Sequence, residues 1–467
     1  MTGAVRTTGE NESPVTRELG PATEFDRTVP TPRADPIEVV TSVVRSGLLS
    51  DYLVYERSQR WYLASNPLGE VTVGRDWIRS TLGGEHAENW VGSPWPRVHA
   101  ALRRTPADSW RAYGWACFEL CRPDRAAPSE VLAHIMVPTV ELEIADGSTR
   151  IRSTSPALGA DLARVITNIG AGEPNPESSP VRSDELDRHY LGLVESAVGR
   201  IRSGLLQKVI VSRTVDIPFE VDMPATYAAG RRANTPARSF LLDLGGWQAA
   251  GFSPETVLEA DASGSVATQP LAGTRARTGD HATDHALRTE LLTDTKEIYE
   301  HATSVKLAFD ELNTVGQAGT TRVSEFLTIK DRGSVQHLGS RVETSLTQAR
   351  TSWDALAAVF PAVTASGIPK TVACETIGAL ESEPRGLYSG AVLMADSTGA
   401  LDAALVLRAV YQHEGRAWLR AGAGVVAASD PTREHEETCE KLTSVAPYVV
   451  PAVGAWSTFD RKDGHRR

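Results

Sequence analysis

Four glutamates within seven residues mark the stretch REHEETCEKL, residues 433–442. On a helix, which turns by about 100° per residue, three charged side chains of this stretch share one face: Glu434, Glu437 and Lys441. The other two acids, Glu436 and Glu440, fall on the opposite side. The cluster is therefore predicted to be two carboxylate pairs that point in different directions.

A second Glu-x-x-Glu motif lies in TKEIYEHATSVKLAFDEL, where Glu297, Glu300 and Ser304 form a polar stripe beside an apolar one. Two carboxylate pairs on two helices suit a cation that prefers oxygen ligands. Mg²⁺ takes one or two carboxylates directly, keeps several waters and completes its shell with substrate oxygens. The alternative is that both motifs are solvated faces supported by lysines one turn away. The two motifs alone leave both interpretations open.

Bulk composition narrows the class of protein that could carry these motifs. The net charge of −11 argues against sequence-independent binding to nucleic acid or to an anionic membrane. No stretch reaches the roughly 20 apolar residues of a membrane helix, and the first residues lack the pattern of a secretory signal. Four cysteines are too few for a disulfide scaffold. We expect a cytoplasmic protein with no nucleic-acid or membrane partner.

The chain divides by composition into a core and two tails. Residues 1–37 are rich in Thr, Pro, Glu and Gly, so they are predicted to be a disordered tail. Residues 38–455 are predicted to form one catalytic domain. Residues 456–467 are predicted to be a charged C-terminal tail.

Alternating apolar runs predict strands in both halves of the core, and a helix is expected to begin with Ser183 as its N-cap. Strands with few regular helical crossovers favour an α+β fold with mostly antiparallel sheet. The main elements predicted after 183 are the strands 207–217, 239–244, 256–261, 404–411 and 417–426 and the helices 284–313 and 432–445.

Several glycine-bearing segments resemble one family, the chorismate-utilising enzymes of menaquinone, siderophore and tryptophan pathways. The resemblance is dense over 183–455 and weaker over 38–182, and the overall likeness is greatest to the bacterial salicylate synthases. The segments that carry it, besides KEIYEH and EHEETCEK, are GFSPET, TQPLAGTRAR, RGSVQHLGS, PAVTASGIPK, PRGLYSGAV and RAGAGVV.

This resemblance implies an α+β fold in which two mostly antiparallel sheets pack as a sandwich with surrounding helices and the active site lies between them. It also implies chorismate as substrate and Mg²⁺ as cofactor. Glu300 and Glu437 match direct metal ligands, and Glu297 and Glu434 match residues that hold metal-bound waters.

The same resemblance assigns substrate-binding residues. Tyr388 and Arg408 match groups that bind the enolpyruvyl carboxylate, and a guanidinium is suited to that because it binds a carboxylate through two N–H groups. Gly422 and Gly424 would let the backbone approach the same anion. Lys441 could contact the ring carboxylate while it offsets the acidic cluster.

Family members differ in the nucleophile that attacks C2 of chorismate as the C4 hydroxyl leaves. Lys208 resembles the base of members that use water, whereas members that use ammonia carry glutamine there. Glu255 matches the general acid that protonates the departing hydroxyl, which requires a protonated carboxyl in a desolvated site. The remaining matching pocket residues are Leu271, Gly273, Thr274, His337 and Thr364.

The function implied is a Mg²⁺-dependent salicylate synthase that converts chorismate through isochorismate to salicylate and pyruvate, for a siderophore or another salicylate-derived metabolite. We expect a monomer without an obligatory glutaminase subunit. The alternatives are an isochorismate synthase, component I of anthranilate or aminodeoxychorismate synthase, and a non-catalytic chorismate-binding protein. Lys208 argues against the ammonia-using enzymes.

Overall fold

The computed structural model describes residues 24–31, 35–169, 177–333 and 335–453. Within these ranges no helix has the length and hydropathy needed to cross a membrane. The helices are α1 Pro36–Arg45, α2 Trp95–Leu102, α3 Pro156–Thr167, α4 Arg188–Arg202, α5 Met223–Ala233, α6 His281–Thr293, α7 Thr295–Asn313, α8 Ser352–Val359, α9 Lys370–Leu380 and α10 Pro431–Leu442.

All strand pairings described are antiparallel. The strands are β1 Phe25–Thr31, β2 Tyr52–Arg57, β3 Arg60–Val73, β4 Trp77–Ser80, β5 His86–Asn89, β6 Arg111–Ala116, β7 Ala133–Ala145, β8 Gly147–Ser153, β9 Lys208–Ile217, β10 Arg238–Leu244, β11 Trp247–Ser253, β12 Thr256–Ala260, β13 Ser265–Thr268, β14 Leu271–Ala276, β15 Arg322–Arg332, β16 Val335–Ser345, β17 Gly367–Ile368, β18 Ala391–Asp396, β19 Leu401–Leu405, β20 Ala409–His413 and β21 Arg416–Val425.

Two long strands, β3 and β7, pair along their whole length and take part in both halves of the sandwich. At one end β2 and β8 flank them, and the first half runs β1-β8-β7-β3-β2-β10-β11-β20-β21-β9-β17. At the other end β4 and β6 flank them, and the second half runs β5-β4-β3-β7-β6-β18-β19-β12-β13-β16, with β14 and β15 also on β16. The ladder is irregular between Pro67 and Gly69, where the pair passes from one half to the other. The predicted α+β class is confirmed, and the two sheets are continuous through this pair.

Side chains from both halves meet in the interior of the sandwich. Leu53 and Phe240 from the first half pack in one cluster with Trp115 and Val392 from the second. The helices cover the outer faces: α2, α7 and α8 lie on the second half, α1, α3 and α5 lie on the first, and α4 and α9 pack beside β9. Burial of both sheet faces explains why so many strands read as continuous apolar runs.

The prediction of a disordered tail over 1–37 is wrong for part of that segment. Residues Phe25–Thr31 form β1, which pairs with β8, and Val29 is buried against α3 and its neighbours. Helix α1 begins at Pro36 with Asp35 as its N-cap. The pairing partner lies more than a hundred residues away, so local composition did not reveal it. Residues 1–23 and the predicted tail 456–467 lie outside the described residues, and the single-domain prediction stays a prediction.

Three element boundaries differ from the sequence-based expectation. Helix α4 is capped by Asp187 rather than Ser183. The helix expected over 284–313 is two helices, because Asp294 has an extended backbone and caps α7 through its carboxylate. The strand expected over 404–411 is broken at Arg408, whose φ of 53° cannot continue a strand. Because the strand breaks at Arg408, the side chain of this arginine points into the site described below.

Candidate active site

One cavity of about 690 Å³ gathers residues from the inner ends of β9, β14, β16 and β21 and from helices α7 and α10. Fourteen of the sixteen site residues predicted from the sequence line it. The other two, Glu297 and Glu434, are buried on the same two helices, one turn from the lining carboxylates. The structure therefore brings the predicted set together, and the chemical role of each residue stays a prediction.

Helix α7 turns a polar face inward. Glu297, Glu300 and Ser304 are all buried, whereas Ile298 and Phe309 of the predicted apolar stripe are only half-buried. The Lys208 Nζ lies 2.9 Å from Glu300 Oε1 and donates a hydrogen bond to Ser304 Oγ over 3.1 Å. Val305 and Leu312 on the apolar side of α7 are buried as well, so both the polar and the apolar stripe of the helix are covered, which indicates a site rather than a solvated polar face.

Helix α10 confirms the prediction of two faces. Glu434 is fully buried and pairs with Lys296 of α7, whereas Glu437 lines the cavity with its Oε1 2.7 Å from Lys441 Nζ. On the opposite face Glu436 and Glu440 form ion pairs with Arg433 and keep 59% and 32% of their side chains exposed. Asp430 caps the helix by accepting the N–H of Arg433, which fixes the rotation that separates the two faces.

The inward carboxylates repel one another. Burial, with Glu300 and Glu437 nearby, raises the pKa of Glu297 to about 7. Burial and the charge of Glu437 also raise the pKa of Glu434. Although burial opposes its ionisation, Lys441 and Lys296 lower the pKa of Glu437 to about 2. The site thus holds carboxylates whose mutual repulsion would be relieved by a cation.

The residues present fit the predicted Mg²⁺. Within the described ranges no group of three or more acidic, His or Cys side chains is arranged to hold a metal ion, and Glu300, Glu434 and Glu437 each pair with a lysine instead. Their oxygens nevertheless converge from two helices, which is the ligand chemistry that Mg²⁺ prefers. Gly424 makes room for them: a Cβ there would lie 2.3 Å from Glu300 Oε1. Glu300 and Glu437 would bind the ion directly, and Glu297 and Glu434 would hold metal-bound waters.

A neutral carboxyl group stands in the same cavity. Glu255 is buried, its Oε1 accepts a hydrogen bond from the Thr364 hydroxyl, and its Oε2 accepts one from the Leu271 N–H over 3.2 Å. Burial raises the pKa of Glu255 to about 8 despite these hydrogen bonds. The group is therefore mostly protonated at neutral pH, as a general acid must be.

His337 supplies a neutral imidazole. Burial, with Arg408 nearby, lowers the pKa of His337 to about 3. Its Nδ1 lies 3.1 Å from the Gly273 carbonyl and 3.2 Å from the Thr274 hydroxyl oxygen, so Nδ1 carries the proton and donates to Gly273. Nε2 is then an acceptor, and it is buried without a hydrogen-bond partner among the described residues. It can accept a hydrogen bond from a hydroxyl of a bound molecule.

The opposite wall is cationic. The buried Arg408 guanidinium donates to the Lys441 carbonyl over 2.9 Å, and Lys441 Nζ donates to the Gly422 carbonyl over 2.7 Å. A Cβ at Gly422 would lie 2.8 Å from the Tyr388 hydroxyl, so only glycine leaves that phenol in place. Two cationic side chains and a phenol in an enclosed pocket suit an anion such as a carboxylate.

Two residues of the site escaped sequence reasoning. Arg420 is buried in the cavity wall, and its place two residues before Gly422 on β21 was a usable signal, because alternate residues of a strand share a face. From the sequence, Lys296 enters only the alternative in which lysines one turn away support solvated acids. Its Nζ instead lies 2.8 Å from Glu434 Oε1 on α10, a contact that no local pattern predicts.

Comparison with known proteins identifies the family. Residues 53–447 match the family described as chorismate binding enzyme. The chain belongs to the chorismate-binding enzymes. The membership predicted from the glycine-bearing segments is confirmed, and with it the prediction that the chain is an enzyme.

This chorismate-binding enzyme is 42% identical over 406 residues to a salicylate synthase of Mycolicibacterium paratuberculosis, covering 86% of this chain and 90% of that protein. It is also 40% identical over 263 residues to anthranilate synthase component 1 of Thermus thermophilus, covering 56% of this chain and 57% of the relative. The predicted likeness to salicylate synthases is thereby confirmed over most of both chains.

Solved structures share the fold. Anthranilate synthase component I of Streptococcus pneumoniae superposes with a TM-score of 0.70 at 24% identity, covering 83% of this chain and 92% of that one. MenF, the menaquinone-specific isochorismate synthase of Escherichia coli, gives a TM-score of 0.69 at 22% identity, covering 93% and 96%. At these identities the likeness establishes the fold alone.

Proposed function

We propose that this chorismate-binding enzyme is a Mg²⁺-dependent salicylate synthase that converts chorismate through isochorismate to salicylate and pyruvate. The observation that carries the proposal is the presence of Lys208 and the neutral Glu255 in one cavity. A buried amine and a protonated carboxyl are the base and the acid that water addition with loss of a hydroxyl requires. The 42% identical salicylate synthase supports the second stage of the reaction.

Substrate binding follows from the charges of the cavity. Chorismate carries two carboxylates: Arg408 and the Tyr388 hydroxyl would bind the enolpyruvyl carboxylate, and Lys441, which lies beside Glu437, would contact the ring carboxylate. Bound Mg²⁺ would supply Lewis-acid stabilisation to the ring carboxylate from its place beside Glu300 and Glu437. The two anionic ends of the substrate are thus held apart, which fixes the ring between Lys208 and Glu255.

The first stage moves one hydroxyl group. Lys208 accepts a proton from a water molecule as the water oxygen bonds to C2, and Glu255 donates its proton to the C4 hydroxyl as that group leaves as water. The C1=C2 and C5=C6 double bonds of the ring move to C1=C6 and C4=C5, so isochorismate has the same composition as chorismate. Thr274, whose hydroxyl lies beside His337 Nδ1, is available to hydrogen-bond the C4 oxygen.

The second stage needs geometry more than a new catalytic group. The hydrogen on C2 passes to the methylene carbon of the enolpyruvyl group as the C3–O bond breaks, which releases pyruvate and leaves the aromatic ring of salicylate. Both bonds change within one bound molecule. His337 and Thr364, which line the cavity, would hold the side chain over the ring.

One incubation tests the proposal. Purified protein with chorismate and Mg²⁺ should release salicylate, followed by its fluorescence, and pyruvate in equal amounts. Lys208→Gln should stop both, whereas Lys306→Gln, on the exposed face of α7, should change neither. Accumulation of isochorismate without pyruvate would refute the salicylate assignment, and turnover only with added ammonia would refute Lys208 as the base.

The location of the enzyme, its oligomeric state and the use of its product are also part of the proposal. We infer that the enzyme acts in the cytoplasm as a monomer without a glutaminase subunit, since water rather than ammonia is the nucleophile. Its salicylate would feed a siderophore or another salicylate-derived metabolite.

A further inference from the structure

Arg385 lies behind the cavity and is 2% exposed. All five of its N–H groups have partners. Nε and Nη2 donate to the Glu381 carboxylate over 2.8 and 2.7 Å, and Nη2 also donates to the Ile210 carbonyl over 2.9 Å. Nη1 donates to the Ala365 carbonyl over 2.8 Å and to Ser389 Oγ over 3.3 Å. A guanidinium is the only side chain with enough donors in a rigid plane for this set.

The partners of Arg385 are distant in sequence and adjacent to site residues. Ile210 is two residues from Lys208 on β9, and both line the cavity. Ala365 follows Thr364, which donates to Glu255. Ser389 follows Tyr388. One planar group therefore connects the strand of the predicted base, the loop that holds the predicted acid and the turn of a substrate-binding phenol.

The charge of this group is balanced within the protein. Glu381 also accepts hydrogen bonds from the Ser212 N–H over 2.8 Å and from Arg420 Nη2 over 2.8 Å. Although burial opposes its ionisation, Arg385 and Arg420 lower the pKa of Glu381. The two guanidinium carbons each lie 5.6 Å from the Tyr388 ring centroid, and that of Arg385 lies 4.6 Å from the ring of Phe118. The network is rigid, because every charged group in it is paired or stacked.

We propose that Arg385 is a positioning residue, which touches no substrate and fixes the relative placement of Lys208, Thr364 and Tyr388. This inference rests on the proposed function. The relative placement of Lys208, Thr364 and Tyr388 affects the reaction only if the base, the loop that holds the acid and the phenol act on one substrate. Lysine cannot replace the arginine, since its three donors on one nitrogen cannot reach the carbonyls of both β9 and the 363–365 turn as well as Glu381.

The test is Arg385→Lys in the full-length protein, with chorismate and Mg²⁺. We expect kcat to fall on the order of 100-fold, as for a misplacement of about 1 Å, while KM changes less than about threefold. We also expect isochorismate to leak relative to salicylate, because the second stage depends on the pose of the bound intermediate. A residue that serves stability alone would not shift this product ratio.

Arg231→Lys is the matched control. Arg231 pairs with both oxygens of Glu56 and with the Asn234 carbonyl, and none of these residues lines the cavity. We expect it to lower the melting temperature much as Arg385→Lys does, with kcat and product ratio unchanged. Wild-type kcat in Arg385→Lys, or equal kinetic losses in both variants, would overturn the proposal.

Two further measurements separate a failure of this inference from a folding defect and from a failure of the proposed function. If Arg385→Lys does not fold, Glu381→Gln, which keeps the side-chain shape and removes the charge, should lower kcat and release isochorismate, and an unchanged kcat would refute the network. Wild-type protein is assayed in parallel. Its failure to make salicylate would refute the proposed function, whereas a normal wild type with an unaffected variant would refute the role of Arg385 alone.

Discussion

Gly424→Ala perturbs the site by one methyl group. Gly424 lies on β21 beneath α7, and a Cβ there would lie 2.3 Å from Glu300 Oε1 and 3.0 Å from the carboxyl carbon. Ordinary contacts begin near 3.4 Å, so the carboxylate must retreat by about 1 Å. Glu300 Oε1 also lies 2.9 Å from Lys208 Nζ, and the retreat would break that contact.

The two consequences of this substitution differ in size. The displaced atoms are the far end of one side chain, so the overpacking itself should cost about 1–3 kcal/mol of stability. Misplacement of a catalytic group by about 1 Å costs on the order of 100-fold in rate. Gly424→Ala should therefore be folded, about 100-fold slower, and weaker in its response to Mg²⁺.

Calorimetric titration with Mg²⁺ and steady-state kinetics measure these effects separately from stability. Gly192→Ala is the control, because a Cβ on this α4 glycine meets nothing within 4 Å. It should be neutral or stabilise the protein by about 0.5–1 kcal/mol through helix propensity, with unchanged kinetics. Wild-type Mg²⁺ affinity and rate in Gly424→Ala would refute the placement of the ion beside Glu300.

Three further outcomes follow from the site. Because Glu255 with a pKa of about 8 must be protonated to act as the acid, kcat/KM should fall as the pH rises above about 8; a rate that rises through pH 9 would contradict this role. Lys208→Gln should reduce water addition by about 10²–10⁴-fold and leave chorismate affinity nearly unchanged, which equilibrium binding can check. Glu436→Ala, on the exposed face of α10, should change stability by less than about 0.5 kcal/mol in thermal unfolding, whereas Glu434→Ala, which removes the partner of Lys296, should cost more and weaken Mg²⁺ binding.

Local sequence patterns predicted those features of the site that depend on residues close together in the chain. The two faces of α10 follow from the helical repeat alone, and the structure confirms the burial of Glu434 and the exposure of Glu436. The buried acids of α7 were predicted for the same reason. Glycine-bearing segments predicted the cavity wall because close approach leaves no room for a side chain, as Gly422 beside Tyr388 shows.

Distant contacts account for what was missed. Residues of β1 are polar by composition and become a strand only because β8 offers an edge. Arg408 sits in an apolar run typical of a continuous strand, and its backbone turns because the guanidinium reaches the carbonyl of Lys441. Lys296 and Arg385 look like ordinary charged residues until folding brings their partners from other parts of the chain.

Both halves of the sandwich share β3 and β7. The chain therefore cannot be divided near residue 183, where the family resemblance changes from weak to dense. Cutting near residue 183 would separate β2 from its partner β10 and β6 from its partner β18. Each fragment would then present two long unpaired strand edges, which are templates for aggregation. The strands described between residues 38 and 182 are thus structural partners of the catalytic part.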